Sequence, residues 1–413
     1  MGDSGEGSAL VGRRTFLKEA GAAAIAAIAS QLGAATADAR AQECPPEANG
    51  PKRIQVRTME DFRKAGSNLR MTAIQGLDLS GFDIRFWGNA DVAGSYFLGC
   101  RFANPDIGAM LQQRGAVILP PFAGLPYDPY RTALYTREEL ERRLPSGARF
   151  DEAVYCDFVA KGRFSPGVVE ALARRIHDNS IDDALERYIR ERGEGRFVGI
   201  MGGANASRKD PWYRKTAETA YLLARSGKMV MSGGGPGMME AANLGAYLSA
   251  YDKSAVDEAI GILGAVADWR DDRWRASALE VRGKFPKGAE NLAITTWFFG
   301  FEPLAVFPSR IAQYFDNSIR EGQLIHNSRS GIVFAPGSAG TREEVFMDAE
   351  RSHYSRSGFR NVMVFLDKSE FERELPVFPI LRKMANERDV LFITDEPGEA
   401  ARFILEHSPP SAH

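Results

Sequence analysis

Residues 228–246 read KMVMSGGGPGMMEAANLGA. KMVMS (228–232) is an apolar run without polar alternation, as expected of a strand covered on both faces. Gly233-Gly234-Gly235-Pro236-Gly237 then breaks the chain, and a helical pattern runs from Met238 to about Ser249. Strand, glycine turn and helix make one βα unit, and the alternation continues outward in both directions. Upstream lie the strand FVGIM (197–201) and a helix around 214–226. Downstream the expected strands are AIGILG (259–264), LAITT (292–296), GIVFA (331–335), NVMVFL (361–366) and VLFIT (390–394). Helices are expected at about 311–326, 341–353 and 371–386, with a last one ending near His407. Continuous apolar strands separated by helices imply a parallel sheet covered on both faces. The fold class is therefore α/β, a Rossmann-like doubly wound parallel sheet with an irregular α+β extension at the N-terminus. Ligands of such sheets bind beyond the carboxyl ends of the strands.

Three loops at those ends draw attention. Gly202-Gly203-Ala204-Asn205-Ala206-Ser207 follows the first strand, Gly233–Gly237 the second, and Pro336-Gly337-Ser338-Ala339-Gly340-Thr341 the strand at 331–335. Glycine lets a backbone turn sharply and approach a ligand closely. The free N–H groups and dipole of the helix that follows favour an anion. None of the three matches the dinucleotide fingerprint or the P-loop, so a mononucleotide phosphate is the better-supported ligand.

The stretches GGGPGMMEAANLGA (233–246) and PGSAGTREE (336–344) resemble the paired signatures of the Lonely Guy (LOG) family, once labelled lysine decarboxylase-like. The resemblance covers roughly residues 196–407. It implies a Rossmann-like homodimer that hydrolyses the N-glycosidic bond of a nucleoside 5′-monophosphate, releasing base and ribose 5-phosphate, with no cofactor. The family pattern P-G-G-x-G-T-x-x-E is met at Pro336, Gly337, Gly340, Thr341 and Glu344, with Ser338 in place of the second glycine. The resemblance gives Glu344 the role of catalytic carboxylate and Arg320 that of orienting cation, with Arg310 and Arg329 as alternatives to Arg320. Gly337, Ser338, Gly340 and Thr341 would hold the phosphate. Gly233, Gly234, Gly235 and Gly237 would line the substrate site, with Glu240 on a ribose hydroxyl or on the neighbouring loop. Trp297, Phe298, Phe299 and Phe301 read as core or dimer interface rather than a base-stacking platform. The alternative from another class is a nucleotide- or cofactor-binding carrier of the same fold that cleaves nothing.

Composition narrows the field. Lys and Arg number 52 against 54 Asp and Glu, a net charge of −2, so bulk electrostatics give no argument for nucleic-acid binding. Three cysteines and five scattered histidines have neither disulfide-framework nor metal-site spacing, and no metal is expected. Apart from the N-terminus no run approaches the ~18 apolar residues of a membrane span, so stable membrane insertion is not expected.

Residues 1–41 read as an export signal of the twin-arginine type. Arg13-Arg14 precedes Phe16-Leu17-Lys18, an Ala-rich stretch follows, and Ala39-Arg40-Ala41 offers a cleavage site. The expected partner during export is the twin-arginine translocase and the expected location periplasmic, with a cytoplasmic protein as the alternative. Residues 42–192 form a second region and 193–413 the nucleotide-binding domain. Within 42–192, Leu79, Ile84, Val92, Phe97 and Phe102 suggest a five-residue beat of pentapeptide-type coil, or else a twisted hairpin. Helices are expected at 135–144 and 166–192, the latter with an apolar stripe of Val169, Leu172, Ala173 and Ile176 and with His177 at a surface or interface. No site chemistry is assigned to this region.

Overall fold

The computed structural model describes residues 53–300, 303–304, 306–354, 361–385 and 389–408. The expected export signal at 1–41 and Phe301 lie outside the described residues.

Six short strands come first: β1 (Ile54–Val56), β2 (Thr72–Gln75), β3 (Asp78–Leu79), β4 (Tyr96–Leu98), β5 (Arg101–Phe102) and β6 (Val117–Leu119). They pair in parallel as β1-β2-β4-β6 and β3-β5, which rules out the hairpin. Ile74 pairs with Phe97 and Leu79 with Phe102, each 23 residues on, so the repeat is a 23-residue strand-turn-strand-helix unit in which the two strand positions stand five residues apart. Gly76 and Gly99, one repeat apart, both take the left-handed backbone (φ 68° and 65°) that the turn between paired strands requires. The five-residue spacing holds at Val92, Phe97 and Phe102, which lie in or against the core of this coil, and fails at Ile84, which is exposed. Phe62, Trp87, Phe97 and Leu111 fill a core of their own inside this coil.

The main sheet comprises β7 (Phe197–Met201), β8 (Met229–Ser232), β9 (Leu292–Thr296), β10 (Arg310–Tyr314), β11 (Ile332–Phe334), β12 (Asn361–Leu366) and β13 (Asp389–Thr394). All pairs are parallel, in the order β10-β9-β8-β7-β11-β12-β13. Successive side chains alternate between two cores, as a strand's two-residue period dictates. Val198, Ile200, Val230, Val362 and Val364 pack with Ala220, Ala242 and Ile404 on one face. Phe197, Met201, Met229, Met231 and Phe365 pack with Leu324 and Ile325 on the other. The chain runs outward from β7 to β10, then returns to β11 on the other side of β7. The topological switch therefore lies between β7 and β11, where open α/β sheets bind ligands.

Two expected elements are corrected. AIGILG is not a strand but the end of the helix Ser254–Gly264, whose buried Ala255, Val256, Ala259, Ile260 and Leu263 follow a helical spacing. Its isoleucines pack against Leu244 and Leu248 of a neighbouring helix rather than in the sheet. Residue 311 does not begin a helix: Ile311 lies in β10, and the helix Asn317–Asn327 starts only after Asp316, whose carboxylate accepts from Ser318 N (2.8 Å) and Ile319 N (3.3 Å).

The region before β7 does not stand apart from the sheet. Tyr127, Tyr135, Phe150, Phe158, Ile181 and Leu185 share one core with Leu292, Ile311 and Phe334, so the boundary expected at 192/193 falls inside a continuous core. Tyr135 exchanges both backbone bonds with Ile311 (2.9 Å each), covering the free edge of β10. The helix Val168–Arg192 turns a face into this core other than the expected one, since Val169 and Leu172 are exposed. Its buried side is apolar from Ile181 to Ile189, and the buried polar residues before that are paired. Arg174 Nε donates to Glu170 Oε1 (2.8 Å), and Asp178 accepts from the backbone N–H groups of Phe315 (3.0 Å) and Asp316 (2.9 Å). His177 is fully buried against the Tyr135 hydroxyl (2.9 Å), not at a surface.

The helices Pro211–Arg225 and Met238–Leu248 cross very closely at Gly245, where a Cβ would sit 1.9 Å from Ala217 O. Gly245→Ala is expected to force the helices apart and cost about 1–3 kcal/mol, read as a lowered melting temperature; an unchanged melt contradicts this packing. Among the described residues no helix is long and apolar enough to cross a membrane.

Candidate functional site

The three glycine loops converge on Gly203. Gly203 N donates to Pro336 O (2.9 Å), and Gly203 O accepts from Met238 N (3.0 Å). A Cβ on Gly237 would sit 2.4 Å from Gly203 O, and one on Gly337 would sit 2.1 Å from Thr341 Oγ1 and 2.8 Å from Gly203 N. Gly237 and Gly337 are thus glycine because loops pack on loops there. Neither lines the cleft, which corrects their assignment to substrate. Gly233, Gly234 and Gly235 do line it, as do Ser338, Gly340 and Thr341. The second loop is shaped from beneath by buried amides. Asn243 donates to Asn291 Oδ1 (2.9 Å) and Leu292 O (3.1 Å) and accepts from Ser232 Oγ (2.6 Å), which in turn takes the Gly234 N–H (3.0 Å). Arg342 braces the third loop by donating to Gly337 O while ion-pairing with Glu370 (2.6 Å).

These loops and the ends of β9 and β10 enclose a cleft of about 170 Å³. The helix Ala339–Tyr354 opens on it. Its first backbone bond runs from Arg342 N to Ser338 O (3.2 Å), so the N–H groups of Ala339, Gly340 and Thr341 precede the ladder and suit an anion.

Arg320, Glu321 and Glu344 stand together in the cleft wall, all buried. Arg320 donates twice to Asn317 Oδ1 (3.2 and 2.9 Å), pairs with Glu321 (2.9 Å) and lies 3.8 Å from Glu344. Burial and the neighbouring Glu321 charge push the Glu344 carboxyl well above the ordinary carboxylate range. Burial raises Glu321 as well, against the pull of Arg320 and a hydrogen bond with Glu344. Both carboxyls are thus held above the ordinary carboxylate range, by burial first of all. Arg310 begins β10, at the end of the sheet away from the site, and Arg329 lies beside His326 beyond the Asn317–Asn327 helix; neither lines the cleft. Glu343, one residue from Glu344, is exposed outside it.

Glu240 is also corrected. It is fully buried and held from two sides, by Arg208 Nη2 (2.5 Å) and Nε (2.8 Å) and by the Tyr213 hydroxyl (2.9 Å), and it does not line the cleft. Arg208 also donates to Val266 O (3.2 Å), Trp274 O (3.1 Å) and Ser277 Oγ (2.8 Å), tying three segments together.

Residues that sequence reasoning passed over complete the wall. Glu321 was legible only as the neighbour of Arg320. Asp151 comes from the helix Phe150–Ala160, in the region given no site chemistry, and no motif marks it. It is 5% exposed, accepts the Trp297 indole N–H (2.7 Å), and is pushed up to about 6 by burial. Trp297 and the half-exposed Phe299 also line the cleft, so the aromatic run is not only core or interface.

A family model described as the SLOG cluster4 family matches residues 195–272, which span the first two loops and end before the third. No curated protein matches the chain. Two solved structures are similar over half of it. The molybdenum cofactor binding protein from the phototrophic bacterium Rippkaea orientalis is 15% identical, with 51% of this chain and 95% of that one covered and a TM-score of 0.32. The structural-genomics target TM1055 is 15% identical, with 51% and 99% covered and a TM-score of 0.35.

Proposed function

We propose that the cleft hydrolyses the N-glycosidic bond of a nucleoside 5′-monophosphate. The observation that carries this reading is a buried carboxyl pair, Glu321 and Glu344, set around Arg320 and lining the same cleft as an exposed helix N-terminus. The phosphate takes the N–H groups at 339–341 and the Thr341 hydroxyl. Cleavage of C1′–N builds positive charge on the ribose and negative charge on the base, and carboxyl groups at an oxocarbenium-like centre answer that demand. Glu344 gives its proton to the base nitrogen as the bond breaks and the bonding electrons leave with the base. Water adds to C1′ and returns a proton to the pair. Arg320 holds Glu321 in place and offsets the negative charge of the pair.

Calorimetry tests the phosphate half of this reading. An anion at a helix N-terminus gains about 0.3–1 kcal/mol from the dipole, and charge-assisted hydrogen bonds add to it. AMP is expected to bind clearly and adenosine weakly; equal affinities remove the phosphate from the third loop. Free adenine released from AMP by the wild type distinguishes the hydrolase from a carrier that binds the nucleotide and leaves it intact.

A further inference from the structure

The cleft is electrically polar. The third loop presents helix N–H groups and favours an anion. The part of the wall formed by Asp151 and Trp297 carries a carboxylate that disfavours one. Resting on the hydrolase reading, we infer that Asp151 selects the base: it accepts a hydrogen bond from an exocyclic amino group, so that the substrates are nucleotides of adenine, guanine or cytosine.

Asp151 is an expensive residue to place where it is. Its side chain is buried, and among the described residues the only hydrogen bond to it comes from Trp297, on Oδ1 (2.7 Å). A buried carboxylate needs more than one donor to offset its lost hydration. Through space, Arg149 lowers its proton affinity while Glu141 and Glu152 raise it. A ligand amino group in the cleft supplies the missing donor. The Asp151–Trp297 bond joins the Phe150–Ala160 helix to the segment after β9, so the region before the main sheet supplies part of the recognition wall. Phe299, half-exposed and with its ring 5.8 Å from the Arg320 guanidinium, adds an apolar surface to the same cleft.

The Asp151→Asn variant makes a sharp test because Trp297 dictates its orientation. The indole N–H still requires an acceptor, so the amide oxygen turns to Trp297 and the NH₂ turns to the cleft. An acceptor toward the ligand becomes a donor. Binding is measured by calorimetry for three pairs that differ at one amino group: AMP against IMP, GMP against IMP, and CMP against UMP. The wild type is expected to favour the amino-bearing member of at least one pair by about tenfold or more, as a hydrogen bond to a charged group provides. Asp151→Asn is expected to abolish or invert that preference. A thermal melt establishes that the variant is folded; should it fail, Asp151→Ser, which removes the charge with a smaller side chain, is read in the same way. No preference in any pair, or one that survives the substitution, overturns the assignment of Asp151 and leaves the hydrolase reading standing. A wild type that binds none of the five nucleotides overturns both.

Discussion

Glu344→Gln is expected to lose about 10²–10⁴ of the rate of base release from nucleoside monophosphates, the usual worth of positioned acid–base help, while AMP still binds. Gln keeps the size and the hydrogen-bonding reach of Glu344, so the partnership with Glu321 and the lining of the cleft persist. What disappears is the transferable proton. Glu343→Gln serves as the control: Glu343 lies about 100° away around the same helix, is exposed, and is expected to lose little. The same variant should alter how stability depends on pH. In the folded chain Glu344 is held protonated well above the ordinary glutamic acid value, whereas in the unfolded chain it ionises normally. Its contribution is thus fully present below the ordinary value and is lost as pH rises through the raised one. Gln does not titrate, so the melting temperature of Glu344→Gln minus that of wild type should grow as pH rises from about 4.5 toward neutrality. Wild-type rates of base release in Glu344→Gln would falsify the catalytic role, and a melting difference independent of pH removes the raised proton affinity of Glu344.

The second large effect belongs to a pair outside the cleft. Arg208→Met leaves Glu240 buried without its cation and is expected to cost about 3–5 kcal/mol, the usual penalty for breaking a buried ion pair from one side. Three backbone and hydroxyl acceptors on the segments at 266, 274 and 277 each lose a donor as well. Changing both partners, Arg208→Met with Glu240→Met, removes the stranded charge and should recover much of the loss. Urea denaturation of the two single variants and the double variant gives the coupling. A loss below about 1 kcal/mol in Arg208→Met, or a double variant as unstable as the sum of the singles, contradicts the assignment of this pair to the fold. Because neither Arg208 nor Glu240 lines the cleft, AMP binding per folded molecule should change little.

How far the sequence reached depended on whether a feature is local. The strands at 197–201, 292–296 and 361–366 are continuous apolar runs, and a run of that kind states its burial on both faces without reference to anything else. AIGILG is equally apolar but packs against the helix Met238–Leu248; composition does not distinguish a helix in a helical layer from a strand, and only the spacing from Ala255 onward does. The 23-residue repeat escaped because its two coils share positions rather than residues, Ile74 answering Phe97 and Leu79 answering Phe102.

The sequence by itself determined the parallel sheet and the three loops at its carboxyl ends, since each rests on neighbours a few positions apart; Glu344 and Arg320 entered through the family resemblance, Arg320 with Arg310 and Arg329 as alternatives. Tertiary structure alone divided the glycines into those that line the cleft and those that let one loop lie against another, a matter of contacts between residues 203, 237 and 337. It withdrew Glu240 into an ion pair with Arg208. It also set Glu321 beside Glu344 and brought Asp151 to Trp297, 146 residues along the chain. The proton affinity of a carboxyl is set by burial and by the charges nearest to it, and those neighbours exist only once distant segments have packed together.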